Sequence, residues 1–521
     1  MDERSRELGE VPGYEFDAPR AAARPGPVAG AGDWRRQVWP QQPDGEPPWP
    51  PRAPRPPRPP RLPRPPVQPW QAPPEAYSAA RPGRPALLAR DTLAAMRARN
   101  WLTSLVVPLL AAIAVGVAGV VVLGANNGGD ADAPSSLAAG FPPARSAAAD
   151  FGGGGGRPVE VSALAADGAT EVAVGSANRD CALWVTADGG SSWRRAALPP
   201  PAAGGVGAGQ LAGVAHGPSG WLAVGGASPV TTGTAASPSP AVVGSADGRT
   251  WTVTGSRAAF DGPGRVVTAA VAAGPGGYVI VGQASTGPRT VAAAWYAPGL
   301  TGWRRAADAR PGALEGPGNR AMNAVSATGR GFVAVGAVGE RPAAWVSGTG
   351  RTWMLVPLAL PAGAASAALD YVAANGPVLA AVGTEVTAAG QRRPFAAVSM
   401  DAGATWTPAP LPFPAAGASA AGASATALTA AGGGFTATGT YGPPGKTDVV
   451  VWTLPAGSAG GTGWTEVTPQ GTGLAGPGMQ AITALTATGA TLTGVGFTAT
   501  SASTSASMLT EPTIWQSPVR S

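Results

Sequence analysis

The sequence predicts an all-β protein, a seven-bladed β-propeller with four-stranded blades, behind an N-terminal disordered region and one transmembrane α-helix. Three observations predict it. One pattern of short strands returns seven times after residue 158. An uncharged apolar run occupies residues 101–124. Ahead of that run the chain is rich in Pro and Arg and shows no sustained period.

Residues 1–85 hold too few aliphatic side chains to offset the chain entropy of folding, so they read as a disordered cytoplasmic region. Within them Arg52, Arg55, Arg58, Arg61 and Arg64 recur at every third position of PRAPRPPRPPRLPRPP. Polyproline II has three residues per turn, so this strip sets five guanidinium groups along one edge of an extended rod. It suits an aromatic groove of a cytoplasmic partner or anionic headgroups, and equally a solubilising spacer. It has no interleaved aromatic residues, and Asp44, Glu46 and Glu75 lie on either side, which argues against nucleic acid. Residues 86–100 set Leu87, Leu88 and Met96 against Arg90, Arg97 and Arg99, the pattern of a juxtamembrane amphipathic helix.

The run WLTSLVVPLLAAIAVGVAGVVVLG at 101–124 is long enough to cross a hydrocarbon core, which takes about 20 apolar residues. It exceeds the apolar part of a signal peptide. Arg90, Arg97 and Arg99 precede it, and Asp130 and Asp132 follow it. The positive-inside rule then places the N-terminus in the cytoplasm and the C-terminal part outside a cell membrane crossed once. Residues 125–157, including Gly152–Gly156, read as a flexible linker.

Residues 158–521 carry the repeat. Each unit begins with a short strand rich in Ala and Val. A Gly-containing turn leads into an alternating strand that ends in Gly: Gly175, Gly225, Gly282, Gly336, Gly383, Gly439 and Gly496. These glycines stand 50, 57, 54, 47, 56 and 57 residues apart. A third strand often holds Trp (Trp184, Trp295, Trp345, Trp452, Trp515). A fourth strand begins at Trp193, Trp251, Trp303, Trp353, Trp406 and Trp464. Four short strands at this period make propeller blades, because a single blade cannot bury both faces until it stacks on neighbours in a ring. The seventh unit ends just after Trp515 and lacks its fourth strand, so a segment just before Val161 is expected to supply it and latch the ring. The small first-strand residues predict an apolar or Ser/Thr-lined channel mouth.

The turns between third and fourth strands read TADGGSSW (186–193), SADGRTW (245–251), SGTGRTW (347–353) and SMDAGATW (399–406). This pattern resembles the Asp-box, or BNR, repeat of sialidase-like propellers. Asp188, Asp247 and Asp401 fill the Asp position, Thr349 replaces it in the fourth blade, and Trp193, Trp251, Trp353 and Trp406 fill the Trp position. The composition, with Arg throughout and Lys446 as the one Lys, is of actinobacterial type. The resemblance implies a membrane-anchored bacterial propeller whose boxes are structural hairpin turns: Asp binds turn N–H groups, Gly takes positive φ and Trp wedges against the blade.

An exo-sialidase activity, the alternative that the resemblance implies, needs an arginine clamp, a Tyr–Glu pair and an acid/base. Arg157–Pro158 lacks the Ile of the usual Arg-Ile-Pro signature. Asp370 and Tyr371, opening the fifth blade, form the most enzyme-like pair. One Cys (Cys181) and one His (His216) exclude Cys- or His-based metal sites, and no cofactor motif follows a strand. The reading is therefore a binding or scaffold propeller for an extracytoplasmic protein or cell-wall glycan, with no catalysis, metal or cofactor expected.

Overall fold

The structure is a computed structural model. It describes residues 145–146, 151 and 158–518, apart from 201–205, 228–238, 256, 261–263, 414–422, 444, 459–462, 468–472, 477 and 501–508. All described residues belong to the unit Arg84–Ser521. The expected disordered region, the arginine strip, the helices at 86–100 and 101–124, and most of the linker 125–157 lie outside them.

Seven sheets, antiparallel but for one added strand, form the blades. Blade 1 consists of Val159–Asp167, Thr170–Ala177, Asp180–Thr186 and Arg194–Arg195, paired in that order. Blades 2, 3, 5 and 6 repeat this plan from inner strands Gly209–Gly217, Val266–Gly274, Ala364–Asn375 and Ser424–Ala431. Blade 4 starts at Arg320–Thr328 and gains a fifth strand, Ala307–Asp308, parallel to its outer strand Thr352–Pro357. Blade 7 contributes Met479–Thr488, Thr491–Thr500 and Leu509–Pro518. Each inner strand contacts the inner strand of the next blade, and the seventh contacts the first, so the ring closes.

The repeated glycine has a steric cause. In all seven blades the inner strand bulges opposite it, leaving one unpaired residue: Ser162, Ala212, Ala269, Asn323, Asp370, Thr426 and Thr483. The bulge pushes inner-strand backbone toward the second strand. A Cβ on Gly336 would overlap the Ala321 carbonyl oxygen, and one on Gly175 that of Glu160. Only a residue without Cβ fits there.

Sheets that diverge from an axis leave wedges that widen outward. Small residues fill the narrow end and aromatic residues the wide end. Trp184, Trp295, Trp345, Trp452 and Trp515 of the third strands are fully buried. Connecting segments plug the wedges: the Phe260 ring lies tilted 5.2 Å from Trp295, and Phe413 meets Trp452 edge-on at 5.9 Å. Carbonyls of Ala313 and Pro412 accept the indole N–H of Trp345 and Trp452.

The seventh blade takes its fourth strand from the N-terminal side. Arg145 pairs with Ile514 and Ser146 with Thr513. Phe151 then plugs the wedge between blades 7 and 1, buried 4.9 Å from Trp184 and 5.5 Å from Trp193. Its carbonyl accepts the Trp184 indole N–H at 3.1 Å. The ring therefore starts upstream of residue 158, inside the segment read as linker: blade 7 had an open edge, and an unpaired sheet edge recruits the strand that can reach it. Two further expectations are corrected. The outer strands begin after the turn Trp rather than at it, as in Arg194–Arg195 and Thr252–Val253, except in blade 4. His216, read as a loop residue, lies in the inner strand of blade 2, 3.4 Å from Asp167 and 4.6 Å from the Trp221 ring.

Candidate functional site

The inner strands and their bulges form the channel wall. The seven bulge residues are half-buried, and they are Ser, Ala, Asn, Asp or Thr. Several stitch their blade to the next. Thr483 donates to the Val161 carbonyl at 2.6 Å, Gln210 donates to the Ser162 hydroxyl at 2.5 Å, and Asn323 donates to the Leu369 carbonyl at 2.9 Å. Each of the two carbonyls belongs to the residue just before a bulge, where the ladder is interrupted and the acceptor needs a new partner.

Asp370 is the bulge residue of blade 5. It accepts the Asn323 amide at 3.3 Å and the Thr384 hydroxyl at 3.4 Å. Desolvation pushes its carboxyl up to about 6, and Arg392, Thr384 and Asn323 offset part of that rise. Tyr371, its neighbour, packs with the apolar cluster of blades 5 and 6, and desolvation followed by the Asp370 charge pushes its phenol up. Glu160, at the start of the inner strand of blade 1, is also raised by desolvation, with Gln210 opposing. Arg320 is the one arginine of the described inner strands. Its guanidinium donates to the carbonyls of Gly312 and Ala313, and burial lowers its pKa against the pull of Asp308. Asp308 in turn accepts the N–H groups of Gly312 and Leu314, which fixes this loop.

The box turns have one shared geometry. Asp188 accepts the hydroxyls of Thr186 and Ser192 at 2.6 Å each and the Ser192 N–H at 2.9 Å. Asp247 accepts the N–H groups of Arg249 and Thr250 at 2.8 Å and the Ser245 hydroxyl at 2.9 Å. Asp401 accepts the Thr405 N–H and the Ser399 hydroxyl at 2.8 Å. In every box the Trp indole N–H reaches the carbonyl of the turn Gly, for Trp193, Trp251, Trp353 and Trp406 alike. Hydrogen bonds from Ser192 and Thr186 hold Asp188 down at about 2, and those from Thr250, Arg249 and Ser245 do the same for Asp247. These carboxylates already hold the donors of their own turns. Among the described residues, no group of three or more His, Cys, Asp or Glu side chains is placed to hold a metal ion.

The structure thus places Asp370 in the channel wall, turns Tyr371 into the seam between blades 5 and 6, and leaves the boxes apart from both. Asn323, Gln210 and Glu160 were not singled out in the sequence. For Asn323 the signal was the extra residue in its first strand, readable only once the terminal glycine sets the register; Gln210 and Glu160 are ordinary paired strand residues with no such signal.

No protein-family model matches this chain, and no curated protein matches it. Solved structures do. A Dyadobacter fermentans protein described as of unknown function has 12% identity and a TM-score of 0.40, covering 69% of this chain and 95% of its own. Trypanosoma rangeli sialidase with sialic acid has 9% identity and a TM-score of 0.35, covering 69% of this chain and 54% of its own. The Aleuria aurantia lectin with a methyl fucoside has 14% identity and a TM-score of 0.34, covering 60% of this chain and 98% of its own. At such scores the seven sheets themselves, rather than any likeness, define the fold: an all-β, seven-bladed propeller closed by its own N-terminal strand.

Proposed function

We propose that this protein is a binding or scaffold propeller for an extracytoplasmic protein or cell-wall glycan, anchored by the single span 101–124 with its N-terminus in the cytoplasm. The observation that supports a binding role is how the channel wall uses its polar groups. Asp370 is held by Asn323 and Thr384, Ser162 by Gln210, Thr483 by Val161, and Arg320 by its own loop. Such a wall is rigid and leaves recognition to the connecting loops. The basic strip Arg52–Arg64 is the proposed contact for a cytoplasmic partner.

The test is direct. Full-length protein should partition with membranes, and protease added to intact cells should cut propeller loops and spare the leader. Binding to isolated cell-wall glycan should survive Asp370→Asn. A leader cut from outside would overturn the anchoring, and a soluble full-length chain would do the same. A divergent sialidase-like hydrolase is the second reading. It is favoured by one observation: the Asp370 carboxyl, at about 6, is suited to hold a proton near neutrality. Turnover of a fluorogenic sialoside, lost in Asp370→Asn, would select that reading.

A further inference from the structure

One position of the repeat changes character at a single blade. Four residues before the terminal glycine, the second strands of blades 2 to 7 carry Trp221, Tyr278, Phe332, Leu379, Phe435 and Leu492. All six are buried, and Trp221, Tyr278, Phe332, Phe435 and Leu492 belong to apolar clusters that span the seam with the preceding blade. In blade 1 the same position is Glu171, and it is only 1% exposed. Its seam is the one where the last blade meets the first.

Glu171 Oε1 accepts the Thr493 hydroxyl of blade 7 at 3.2 Å. Oε2 is buried without a hydrogen-bond partner. The Gln516 amide of blade 7 crosses the same seam to the Gly189 carbonyl at 2.6 Å. From blade 7, then, the neighbours are Thr493 and Gln516, both uncharged. From blade 1 the charged neighbour is Asp188, which is fully ionised at neutral pH and repels a second negative charge. An ionised Glu171 is thus a desolvated charge with one neutral donor and a like-charged neighbour, in the seam that Phe151 plugs and that the Thr483–Val161 and Gln516–Gly189 hydrogen bonds bridge.

We propose that Glu171 makes ring closure proton-dependent: the first and last blades lock when it is neutral and loosen when it ionises. Burial, with the Asp188 charge adding to it and Thr493 opposing, pushes its carboxyl up to about 7, so the change falls at neutral pH. The sign follows from linkage. The closed seam binds the proton more tightly than the open one, so closure is strongest below the ordinary carboxyl pKa. It weakens as pH rises through about 7 and is constant above. A shift of this size corresponds to roughly a hundredfold change or more in the closed-to-open ratio.

Hydrogen exchange of the full-length protein, corrected for the intrinsic pH dependence of exchange, reads the seam directly. Amides of Leu509–Pro518 should be roughly ten- to thirtyfold more protected at pH 5.5 than at pH 8.5, while those of Phe332–Val335 in blade 4 stay level. Glu171→Gln should flatten the seam's pH response, and Glu171→Leu, the residue of blades 5 and 7, should flatten it at high protection. Asp370→Asn should leave the response intact. The proposal fails if wild type and Glu171→Gln respond alike, if Asp370→Asn abolishes the response, or if blade 4 loosens with the seam.

Discussion

A glycine without a positive φ, in the middle of a strand, looks dispensable until its neighbour bulges. Gly336 faces the Ala321 carbonyl at such a bulge, and a methyl group there forces backbone apart. Gly336→Ala should lower unfolding free energy by roughly 2–4 kcal/mol in urea titration. Gly329→Ala, with open space around its Cβ, is the control and should change little. The box carboxylates define a second residue-scale expectation. Asp188 is held at about 2 by its turn, below its ordinary 3.8. The folded state therefore keeps this carboxylate ionised where the unfolded chain protonates it, so its contribution is present above pH 3.8 and is lost as pH falls through 2. Acid unfolding of Asp188→Asn should show a shallower pH dependence in that window than wild type.

At the scale of elements, the blades differ in what fills their wedges. Phe260 and Phe413 reach their wedges from connections between adjacent blades, Phe260 at the end of the short helix Arg257–Phe260. Phe151 enters from the segment that carries the latch strand Arg145–Ser146, which pairs with Leu509–Pro518. Removing a buried Phe costs about 3–5 kcal/mol. Phe151→Ala should reach that range, and limited proteolysis should then cut between residues 145 and 158 ahead of all other sites. Phe260→Ala should destabilise without exposing that segment. The strands themselves were legible from alternation and from the terminal glycines. The latch was legible only as a missing partner for Leu509–Pro518. Which upstream residues pair with that strand depends on where the ring brings its edge.

For the whole molecule, closure is what turns seven marginal sheets into one unit. Each blade buries its faces only against neighbours, so loss of one contact opens two faces. Deleting residues 145–151 from the full chain should lower the melting temperature and promote association through the exposed edge of blade 7, read by scattering against concentration. The channel is the other property of the whole. Ser162, Asn323, Asp370, Thr426 and Thr483 are spread along the chain, and nothing local to any of them announces a shared wall. Asp370 was visible as a carboxylate next to a tyrosine. Its partners Asn323 and Thr384 were not, because one belongs to the preceding blade and the other to the adjacent strand.

The sequence alone determined the strand period, the number of blades and the hairpin chemistry of the boxes, because alternation, Gly placement and Asp–Gly–Trp turns are short-range consequences of backbone geometry. Tertiary structure decided the seams. A buried glutamate opposite Thr493, an aromatic plug at Phe151 and a proline-flanked loop carbonyl under Trp452 depend on which blade a side chain meets, and in a ring the first blade meets the last across more than 300 residues of chain.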